Sequence, residues 1–400
     1  MVRNLKTTVT IIGAGATGLA LAIELQNAGV DFIVVDKGDP GMGSTCHSAG
    51  VLHSGARYAL TDPELAKTCR QSQEFFLSVA PFTVSNKSDA YYLITDRQSE
   101  VYATDLVDAC RRLEVPIRYV SRTEIRESEP HISIDAMGAL AVPDVTVDPF
   151  LLVASYVEEI TNRGAAITPR AEILSATWNH DCWRLELFDT MMNRTQTVFT
   201  KMVIVAAGPW TARVLNHFGI SLNLRYINGC MFVLNDKVVD RIVTLCQPPT
   251  SCDSLIPCYS NTLLGSTWSQ QDMADPTLPV SGDRGQATSA LSRLLDVSYD
   301  QVVSHAYSGV RVILATKLRS AANISRTAKR ASYLLDHSEQ NGVNNLISIF
   351  GGKLTFHNTM AQQAATLVCQ KLGASYTNNN RISPMKIPTN FPRKNLASSP

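Results

Sequence analysis

Three glycines near the start of the chain have the spacing of a turn that binds phosphate. Gly13, Gly15 and Gly18 form the pattern Gly-x-Gly-x-x-Gly, and Asp36 follows with residues 19–35 between. The first glycine permits a tight turn, the second lets the backbone approach a pyrophosphate, and the third lets a helix pack closely on a strand. The Asp36 carboxylate can accept hydrogen bonds from ribose hydroxyls. These residue types predict a site for the adenosine half of a dinucleotide.

The segments around these glycines predict the elements that such a site needs. Residues 8–12 are β-branched and apolar, which predicts a buried parallel strand, and residues 32–35 predict a second strand. Residues 19–25 between them are good helix formers. The N-terminus of that helix offers backbone N–H groups and a partial positive charge to the phosphates. The other candidate cofactor contacts in this unit are Ala16, Thr17 and Lys37.

Two later segments favour flavin over nicotinamide as the other half of the dinucleotide. Residues 200–205 and 346–350 each predict a buried strand that ends at glycines and precedes a helix. This repeated return to one sheet resembles the glutathione-reductase-like FAD fold, in which the last helix directs its N-terminus at the flavin and stabilises the reduced form. We therefore expect FAD as the cofactor. The candidate contacts in these segments are Ala207, Gly208, Trp210, Gly351, Gly352, Lys353, Leu354 and Thr355.

The stretch Gly-Ser-Thr-Cys-His-Ser-Ala-Gly-Val-Leu-His-Ser-Gly-Ala-Arg-Tyr, beginning at Gly43, carries a family resemblance. It resembles the FAD-dependent glycerol-3-phosphate dehydrogenases of the D-amino-acid-oxidase superfamily, and most closely the catalytic A subunit of the anaerobic bacterial enzyme. Segments 138–150, 205–210, 306–311 and 334–354 agree with that family in order and spacing. The resemblance implies oxidation of sn-glycerol 3-phosphate to dihydroxyacetone phosphate, with electrons passed on towards quinone.

The same resemblance implies a cationic substrate pocket. A phosphate dianion needs several fixed cations, and the arginine fork matches its geometry. Four basic residues lie on segments that match the borders of the family's pocket, namely Arg57, Arg311, Arg326 and Lys353. The basic run around Arg326 is equally typical of a solvated face. Tyr58 is expected either to hydrogen-bond the substrate or to close the pocket.

Oxidation of a secondary alcohol also requires a base, because the hydroxyl proton leaves as hydride moves from carbon to flavin. His53, four residues before Arg57, is the first candidate, and a structural histidine bonded to backbone is the alternative. His305 is the reserve candidate, and Arg311 is expected to assist at the reacting centre.

Ser44, Thr45 and His47 are candidate cofactor contacts in the stretch that carries the resemblance. The same stretch resembles the segment through which dimethylglycine and sarcosine dehydrogenases attach flavin covalently to a histidine. Glycerol-3-phosphate dehydrogenases hold flavin without a covalent bond. We expect non-covalent FAD, with a covalent link through His47 as the alternative.

Several positions depart from the family pattern. The family has a proline where this chain has Val312, an aromatic residue followed by arginine where it has His357 and Asn358, and a basic residue where it has Asn228. The loss of two cations predicts weaker phosphate binding or a different anion. The anaerobic subunit also continues into a cysteine-rich, electron-relaying module. Because this sequence stops at Pro400, we expect that relay on a partner subunit or not at all.

Composition narrows the class of protein. Apolar residues make up 45% and charged residues 18% of the 400, which excludes a disordered or fibrous chain. A formal net charge of +1 is too balanced for a surface built to hold nucleic acid. Nine cysteines without a Cys-x-x-Cys pair favour reduced thiols in a cytoplasmic protein. The six-residue repeat of Cys246, Cys252 and Cys258 is interleaved with prolines, so we expect no metal site.

The chain has no apolar run of the roughly 20 residues that a membrane span needs, so any membrane contact is expected to be peripheral and through a partner. The predicted fold is α/β: a glutathione-reductase-like, FAD-binding Rossmann fold with a parallel sheet, interleaved with a mostly antiparallel substrate domain. The predicted FAD domain comprises 1–80, 145–218 and 305–375, the substrate domain comprises 81–144 and 219–304, and 376–400 form a disordered tail.

Three hypotheses follow for the function. The first is the glycerol-3-phosphate dehydrogenase described above. The second is a superfamily dehydrogenase or oxidase of a 2-hydroxy acid, such as 2-hydroxyglutarate, or of an N-methyl amino acid. The third is a flavin-binding subunit without catalysis, which the missing cations favour.

Overall fold

The computed structural model describes residues 3–133, 135–277, 279–295, 303–315, 331–377 and 385–389. Within these residues the strands are β1 (Arg3–Ile12), β2 (Phe32–Val35), β3 (Val51–Leu52), β4 (Val84–Asn86), β5 (Ala90–Ile94), β6 (Arg118–Ser121), β7 (Gly138–Val142), β8 (Val145–Val147), β9 (Ala166–Thr168), β10 (Ala171–Asn179), β11 (Cys182–Asp189), β12 (Arg194–Val205), β13 (Leu224–Leu234), β14 (Val243–Leu245), β15 (Ser254–Cys258), β16 (Asn261–Gly265), β17 (Ser269–Gln271), β18 (Val303–Leu314), β19 (Ser332–Asp336) and β20 (Leu346–Gly351).

The α-helices in the same part of the chain are α1 (Ala16–Asn27), α2 (Pro63–Val79), α3 (Arg97–Arg112), α4 (Arg122–Ser128), α5 (Pro149–Asn162), α6 (Thr211–Asn216), α7 (Ser281–Leu294), α8 (His337–Asn341) and α9 (His357–Leu372). Short 3₁₀ helices cover Ala56–Tyr58, Pro81–Thr83, Gly208–Trp210 and Leu354–Phe356. Each element that the sequence predicts around the glycines is present, and β2 has the predicted bounds.

An eight-stranded sheet forms the first layer. Its centre is the parallel series β20, β12, β1, β2 and β9, and β10, β11 and β19 extend it with antiparallel pairings. In register, Ile11 lies between Ile204 and Val34, and all three are fully buried. Burial on both faces is the reason these strands read as continuous apolar runs. Helices α1, α5 and α9 pack together over one face. The predicted parallel, Rossmann-like sheet is confirmed.

A nine-stranded sheet forms the second layer. Its order is β17, β13, β16, β15, β14, β5, β7 and β6, with β18 also paired to β13, and every pairing except that of β14 with β5 is antiparallel. This is the mostly antiparallel sheet that the sequence predicts. Strand β18 belongs here because its register with β13 runs from Leu224 opposite Leu314 to Leu234 opposite Val303. Residues 305–314, which the sequence places in the FAD domain, therefore lie in the second sheet.

A small three-stranded sheet joins β3, β8 and β4. Strands β3 and β8 are antiparallel, with Leu52 opposite Val145. His53 is the residue after β3 and Asp144 is the residue before β8, so this pairing brings the two side chains together. The fold thereby connects two polar residues that lie far apart in sequence.

Part of the predicted tail contacts the body of the protein. Met385 is buried and its N–H donates to the Val79 carbonyl at 2.9 Å. The Tyr376 hydroxyl donates to Glu24 at 2.9 Å. These contacts differ from the poorly ordered segment that the sequence favours at those positions. Among the described residues, no helix is both long enough and apolar enough to cross a bilayer.

Candidate active site

A cavity of about 440 Å³ lies where the two large sheets meet. Residues that follow β1, β2, β12 and β20 form one wall, because the carboxyl ends of parallel strands share one edge of the sheet. Residues of β13, β14, β15, β16 and β18 line the other wall. The predicted site residues that line the cavity are Gly13, Gly15, Ala16, Thr17, Asp36, Lys37, Ser44, Thr45, His47, His53, Arg57, Ala207, Gly208, Trp210, Arg311, Gly351, Gly352, Lys353 and Leu354.

The glycine turn has the geometry that its spacing predicts. Gly13 has φ +116°, and a Cβ atom there would collide with the Ala206 carbonyl oxygen. A Cβ atom at Gly18 would collide with the Gly13 carbonyl, so Gly18 packs the helix against the turn and does not itself line the cavity. Helix α1 begins at Ala16, and the Gly15 position before it carries no side-chain cap. The Gly13 and Gly15 backbone and the start of the helix line the cavity together, which suits a pyrophosphate.

Asp36 lies at the end of β2 as an oriented carboxylate. Its oxygens accept hydrogen bonds from the Ala14 N–H at 2.6 Å and the Gly38 N–H at 2.8 Å. Burial raises the pKa of Asp36, and these two backbone donors oppose the rise. The carboxylate has further lone pairs for the ribose hydroxyls.

The turn after β2 contributes three of the predicted cofactor contacts. The Thr45 hydroxyl accepts from the Ala16 N–H at 3.0 Å, and the Ser44 hydroxyl donates to the Val310 carbonyl at 2.7 Å. The His47 ring bonds through Nδ1 to the Gly43 carbonyl at 2.8 Å. Ser44 thus links this turn to the second sheet. A covalent bond from His47 to flavin stays a prediction.

The segment after β20 forms the opposite end of the cavity. Gly351 and Gly352 have φ +77° and +72°, conformations that favour glycine, and they turn the chain towards Lys353. A 3₁₀ turn over Leu354–Phe356 leads into α9. Thr355 is buried behind the wall, where its hydroxyl accepts from the His53 N–H at 3.3 Å.

These features fit FAD. A glycine turn at the start of a helix, a carboxylate at the end of the next strand and a second glycine turn before the last helix all face one continuous cavity. The Gly13 and Gly15 backbone, Asp36 and Thr45 would hold the dinucleotide, and residues 351–354 would border the flavin. The arrangement leaves the space between Lys353 and β18 for a substrate.

His53 forms a buried pair with Asp144. The His53 Nδ1 atom lies 3.1 Å from Asp144 Oδ2, and Asp144 also accepts from the Ser54 N–H and hydroxyl, both at 2.6 Å, and from the Tyr92 hydroxyl at 3.2 Å. Burial lowers the pKa of His53 to about 4, partly offset by Asp144. Hydrogen bonds from His53 and Ser54 hold the pKa of Asp144 below its ordinary value despite its burial. His53 is therefore neutral and Asp144 ionised at pH 7.

This protonation state fixes the tautomer of His53. A carboxylate only accepts hydrogen bonds, so Nδ1 carries the ring proton and donates it to Asp144. The other ring nitrogen, Nε2, keeps its lone pair and can accept a proton. His53 is thus a neutral imidazole that Asp144 orients, which is the arrangement of a general base.

Arg57 is already paired within the protein. Its Nη2 atom lies 2.8 and 2.7 Å from the two Asp253 oxygens, and both side chains are largely buried. Its Nη1 atom lies 3.4 Å from the Thr244 hydroxyl. Asp253 thus neutralises a cation that the sequence assigns to the substrate clamp. Arg57 lines the cavity as one half of an ion pair.

Lys353 and Arg311 approach the cavity from opposite sheets. Lys353 Nζ lies 3.3 Å from the Tyr58 ring centroid, and Tyr58 is buried beneath it without lining the cavity. Arg311, on β18, hydrogen-bonds the Ser266 hydroxyl. A Cβ atom at Gly229 would lie 3.0 Å from Arg311 Nη2, so a larger residue there would require the guanidinium to shift.

The departures from the family pattern have structural explanations. Asn228 is buried and exchanges hydrogen bonds with the Thr277 backbone, so its side chain does not line the cavity. His357 is buried, and burial lowers its pKa to about 4, so it supplies no charge at pH 7. Asn358 bonds to the Tyr156 hydroxyl at 2.7 Å. Val312 lines the cavity as an apolar wall residue.

The reserve base His305 is not brought into the site. His305 is exposed on β18, hydrogen-bonded to Ser304 at 3.1 Å, and it does not line the cavity. His305 lies six residues before Arg311 along β18, roughly 20 Å away in an extended strand, so the reserve base is not positioned for the reaction. Arg326 lies outside the described residues.

Sequence reasoning missed the two carboxylates Asp144 and Asp253. Asp144 lies in a segment that carries the family resemblance, and its place directly before β8 could have marked it as a partner of His53. Asp253 lies in a proline-rich loop with no signal of its own. Among the described residues no three His, Cys, Asp or Glu side chains are grouped to hold a metal, and the nine cysteines are free thiols.

Comparison with known proteins decides the family. A family model described as FAD dependent oxidoreductase matches residues 8–357. The chain belongs to this FAD-dependent oxidoreductase family. The resemblance found in the sequence, the FAD fold and FAD as the cofactor are thereby confirmed.

Individual members of the FAD-dependent oxidoreductase family are similar over most of the chain. Subunit A1 of the anaerobic glycerol-3-phosphate dehydrogenase of Haloferax volcanii is 28% identical over 381 residues, which cover 92% of this chain and 64% of that relative. The chain thus spans just under two thirds of that relative's length.

Solved structures show the same fold at lower identity. The glycerol-3-phosphate dehydrogenase of Bacillus halodurans, complexed with FAD, superposes with a TM-score of 0.71 at 19% identity, covering 94% of this chain and 66% of that one. Glycine oxidase of Geobacillus kaustophilus gives a TM-score of 0.71 at 19% identity, covering 94% of this chain and 99% of that one. Because an alcohol dehydrogenase and an amine oxidase fit equally well, the fold alone does not select the substrate.

Proposed function

We propose that this protein oxidises sn-glycerol 3-phosphate to dihydroxyacetone phosphate. The observation that carries the proposal is the His53–Asp144 pair in the wall of a cavity that also contains Arg311 and Lys353. A base beside two cations suits an alcohol that carries an anionic group. The similarity to a subunit of anaerobic glycerol-3-phosphate dehydrogenase supports the same substrate.

The residues of the chain have separate roles in this reaction. Bound FAD supplies the acceptor for the hydride. His53 takes the hydroxyl proton at Nε2, and Asp144 stabilises the imidazolium that results. Arg311 and Lys353 hold the phosphate from two sides and so orient the alcohol. The Arg57–Asp253 ion pair forms part of the wall of the same cavity.

A substrate panel with the purified holoprotein and a dye as electron acceptor tests the proposal. We expect turnover with sn-glycerol 3-phosphate and none with 2-hydroxyglutarate or sarcosine. His53→Gln should lower kcat by about a hundredfold or more, because general base catalysis is worth that much. His305→Gln is the matched control and should leave kcat unchanged. Equal loss in both variants, or turnover of sarcosine alone, would overturn the proposal.

A 2-hydroxy acid is the second candidate substrate. Arg57 is engaged by Asp253, and the neutral His357 and Asn358 occupy positions where the family has an aromatic residue and an arginine. This reduced positive charge suits carboxylates, each of which carries one negative charge where a phosphate group carries close to two. The same panel distinguishes it, since 2-hydroxyglutarate would then support turnover in place of glycerol 3-phosphate.

We also propose that electrons leave towards quinone through a partner subunit, which would supply any membrane contact of this protein. The support is the similarity to a protein named as one subunit of its enzyme. In isolation the protein should reduce a small dye faster than a water-soluble quinone. Equal rates with both acceptors would remove the need for a partner.

A further inference from the structure

A loop of the second sheet reaches across to the wall of the dinucleotide site. We define the strap as residues 272–277, which follow β17. Within it, the Asp275 carboxylate accepts a hydrogen bond from the Trp210 Nε1 atom at 2.8 Å, and it lies 3.9 Å from Lys37 Nζ. Trp210 and Lys37 both line the cavity on the side of Asp36. One carboxylate thus connects the second sheet to the residues that follow β12 and β2.

The Trp210 ring is held between several contacts. The Lys37 ammonium lies 3.8 Å from the ring centroid on one side, a favourable cation–π position. The backbone at Gly43 lies so close that a Cβ atom there would be 3.2 Å from Trp210 Cζ3. The hydrogen bond from its Nε1 atom to Asp275 is a third contact, and it is the one that the strap supplies.

The strap itself is anchored at both ends. Gln271 Nε2 donates to the Met273 carbonyl at 2.7 Å and to the Asp275 carbonyl at 2.8 Å. Asn228 donates to the Thr277 carbonyl at 3.2 Å and accepts from the Thr277 N–H at 3.4 Å. A lysine or arginine at position 228 could not make this exchange, because it has no acceptor. Asn228, which stands where the family has a basic residue, therefore anchors one end of the strap.

We propose that Asp275 is a positioning residue for FAD, which it retains by fixing Trp210 and Lys37 over the dinucleotide half of the cavity. The proposal rests on FAD as the cofactor and not on the identity of the substrate. Loss of the contact should speed release of the cofactor, because it loosens a part of the cavity wall on the side of Asp36. Residues around His53 are untouched by the change.

The rate of FAD release from the holoprotein tests this role. Oxidised holoprotein is mixed with an excess of an apoflavoprotein that captures free FAD, and the change in flavin fluorescence is followed. Asp275→Ala should release FAD about fivefold faster, the value of one hydrogen bond. Asp272→Ala is the matched control, since it removes the same charge from an exposed position of the same strap. Equal release rates in Asp275→Ala, Asp272→Ala and the unchanged protein would overturn the proposal.

A second variant tests the anchor while leaving Asp275 in place. Gln271→Ala removes three hydrogen bonds between the end of β17 and the strap and should speed release in the same direction as Asp275→Ala. Thermal unfolding of each variant reports whether the fold is intact. An unchanged release rate in Gln271→Ala, with an intact fold, would show that the strap does not hold Asp275 in position and would overturn this part of the account.

Discussion

At the scale of single residues, the reaction depends on which proton sits on which nitrogen of His53. Asp144 decides this, because its carboxylate accepts from Nδ1 and leaves Nε2 as the base. Asp144→Asn should lower kcat by about a hundredfold or more while FAD remains bound, since an amide can donate to Nδ1 and favour the wrong tautomer. Ser54→Ala keeps the carboxylate and should cost far less. Similar losses in the two variants would argue against a tautomer role.

The protonation of His53 gives a second prediction at this scale. Burial lowers its pKa to about 4, so the ring should stay neutral as the pH falls from 8 to 5 and gain a proton only below that range. The nitrogen chemical shifts of His53, assigned with His53→Gln, report this in the free holoprotein. A titration near the unperturbed value of about 6.5 would show that Asp144 fully offsets the effect of burial on the pKa of His53.

Sequence reasoning reached some of these residues and not their pairings. His53, Arg311 and Lys353 could be proposed because each lies in a segment with a family resemblance. The Arg57–Asp253 pair could not, because 195 residues separate its members and only the second sheet brings them together. The sequence reveals that Arg57 is positively charged. It does not reveal which carboxylate the fold places beside it.

At the scale of elements, the glycines of the first turn indicated its structure because a larger side chain at Gly13 or Gly18 would collide with the backbone. The run from β1 through α1 to β2 was predictable from its periodicity and from Gly13, Gly15 and Gly18. Strand β18 was assigned to the wrong unit, since its apolar pattern fits either sheet and its long pairing with β13 is not visible in the sequence. Strand pairing over long separations depends on contacts that local patterns do not encode.

The pairing of β13 with β18 gives a prediction at this scale. Gly229→Ala would place a Cβ atom 3.0 Å from Arg311 Nη2, and the guanidinium would have to shift to accommodate it. The KM for an anionic substrate and the inhibition constant of inorganic phosphate should both rise about tenfold, with FAD binding unchanged. Gly282→Ala on α7 meets no atom within 4 Å and is the control. Unchanged phosphate inhibition in Gly229→Ala would exclude Arg311 from the anion site.

At the scale of the whole molecule, function arises from the meeting of two sheets. The parallel sheet supplies the dinucleotide site, and the second sheet supplies Arg311, Asp253 and the strap. The predicted domain bounds stay a prediction apart from the strand reassigned above. Composition and motif order were sufficient for the overall architecture, because large apolar sheets and glycine turns have strong sequence signals.

Anaerobic titration of the purified holoprotein tests the central claim most directly. The visible absorbance of bound flavin is followed as sn-glycerol 3-phosphate is added without any electron acceptor. We predict bleaching that is complete near one equivalent of substrate for each flavin, and no bleaching by 2-hydroxyglutarate or sarcosine. A flavin that stays oxidised with glycerol 3-phosphate, or a purified protein that takes up no FAD, would contradict the account.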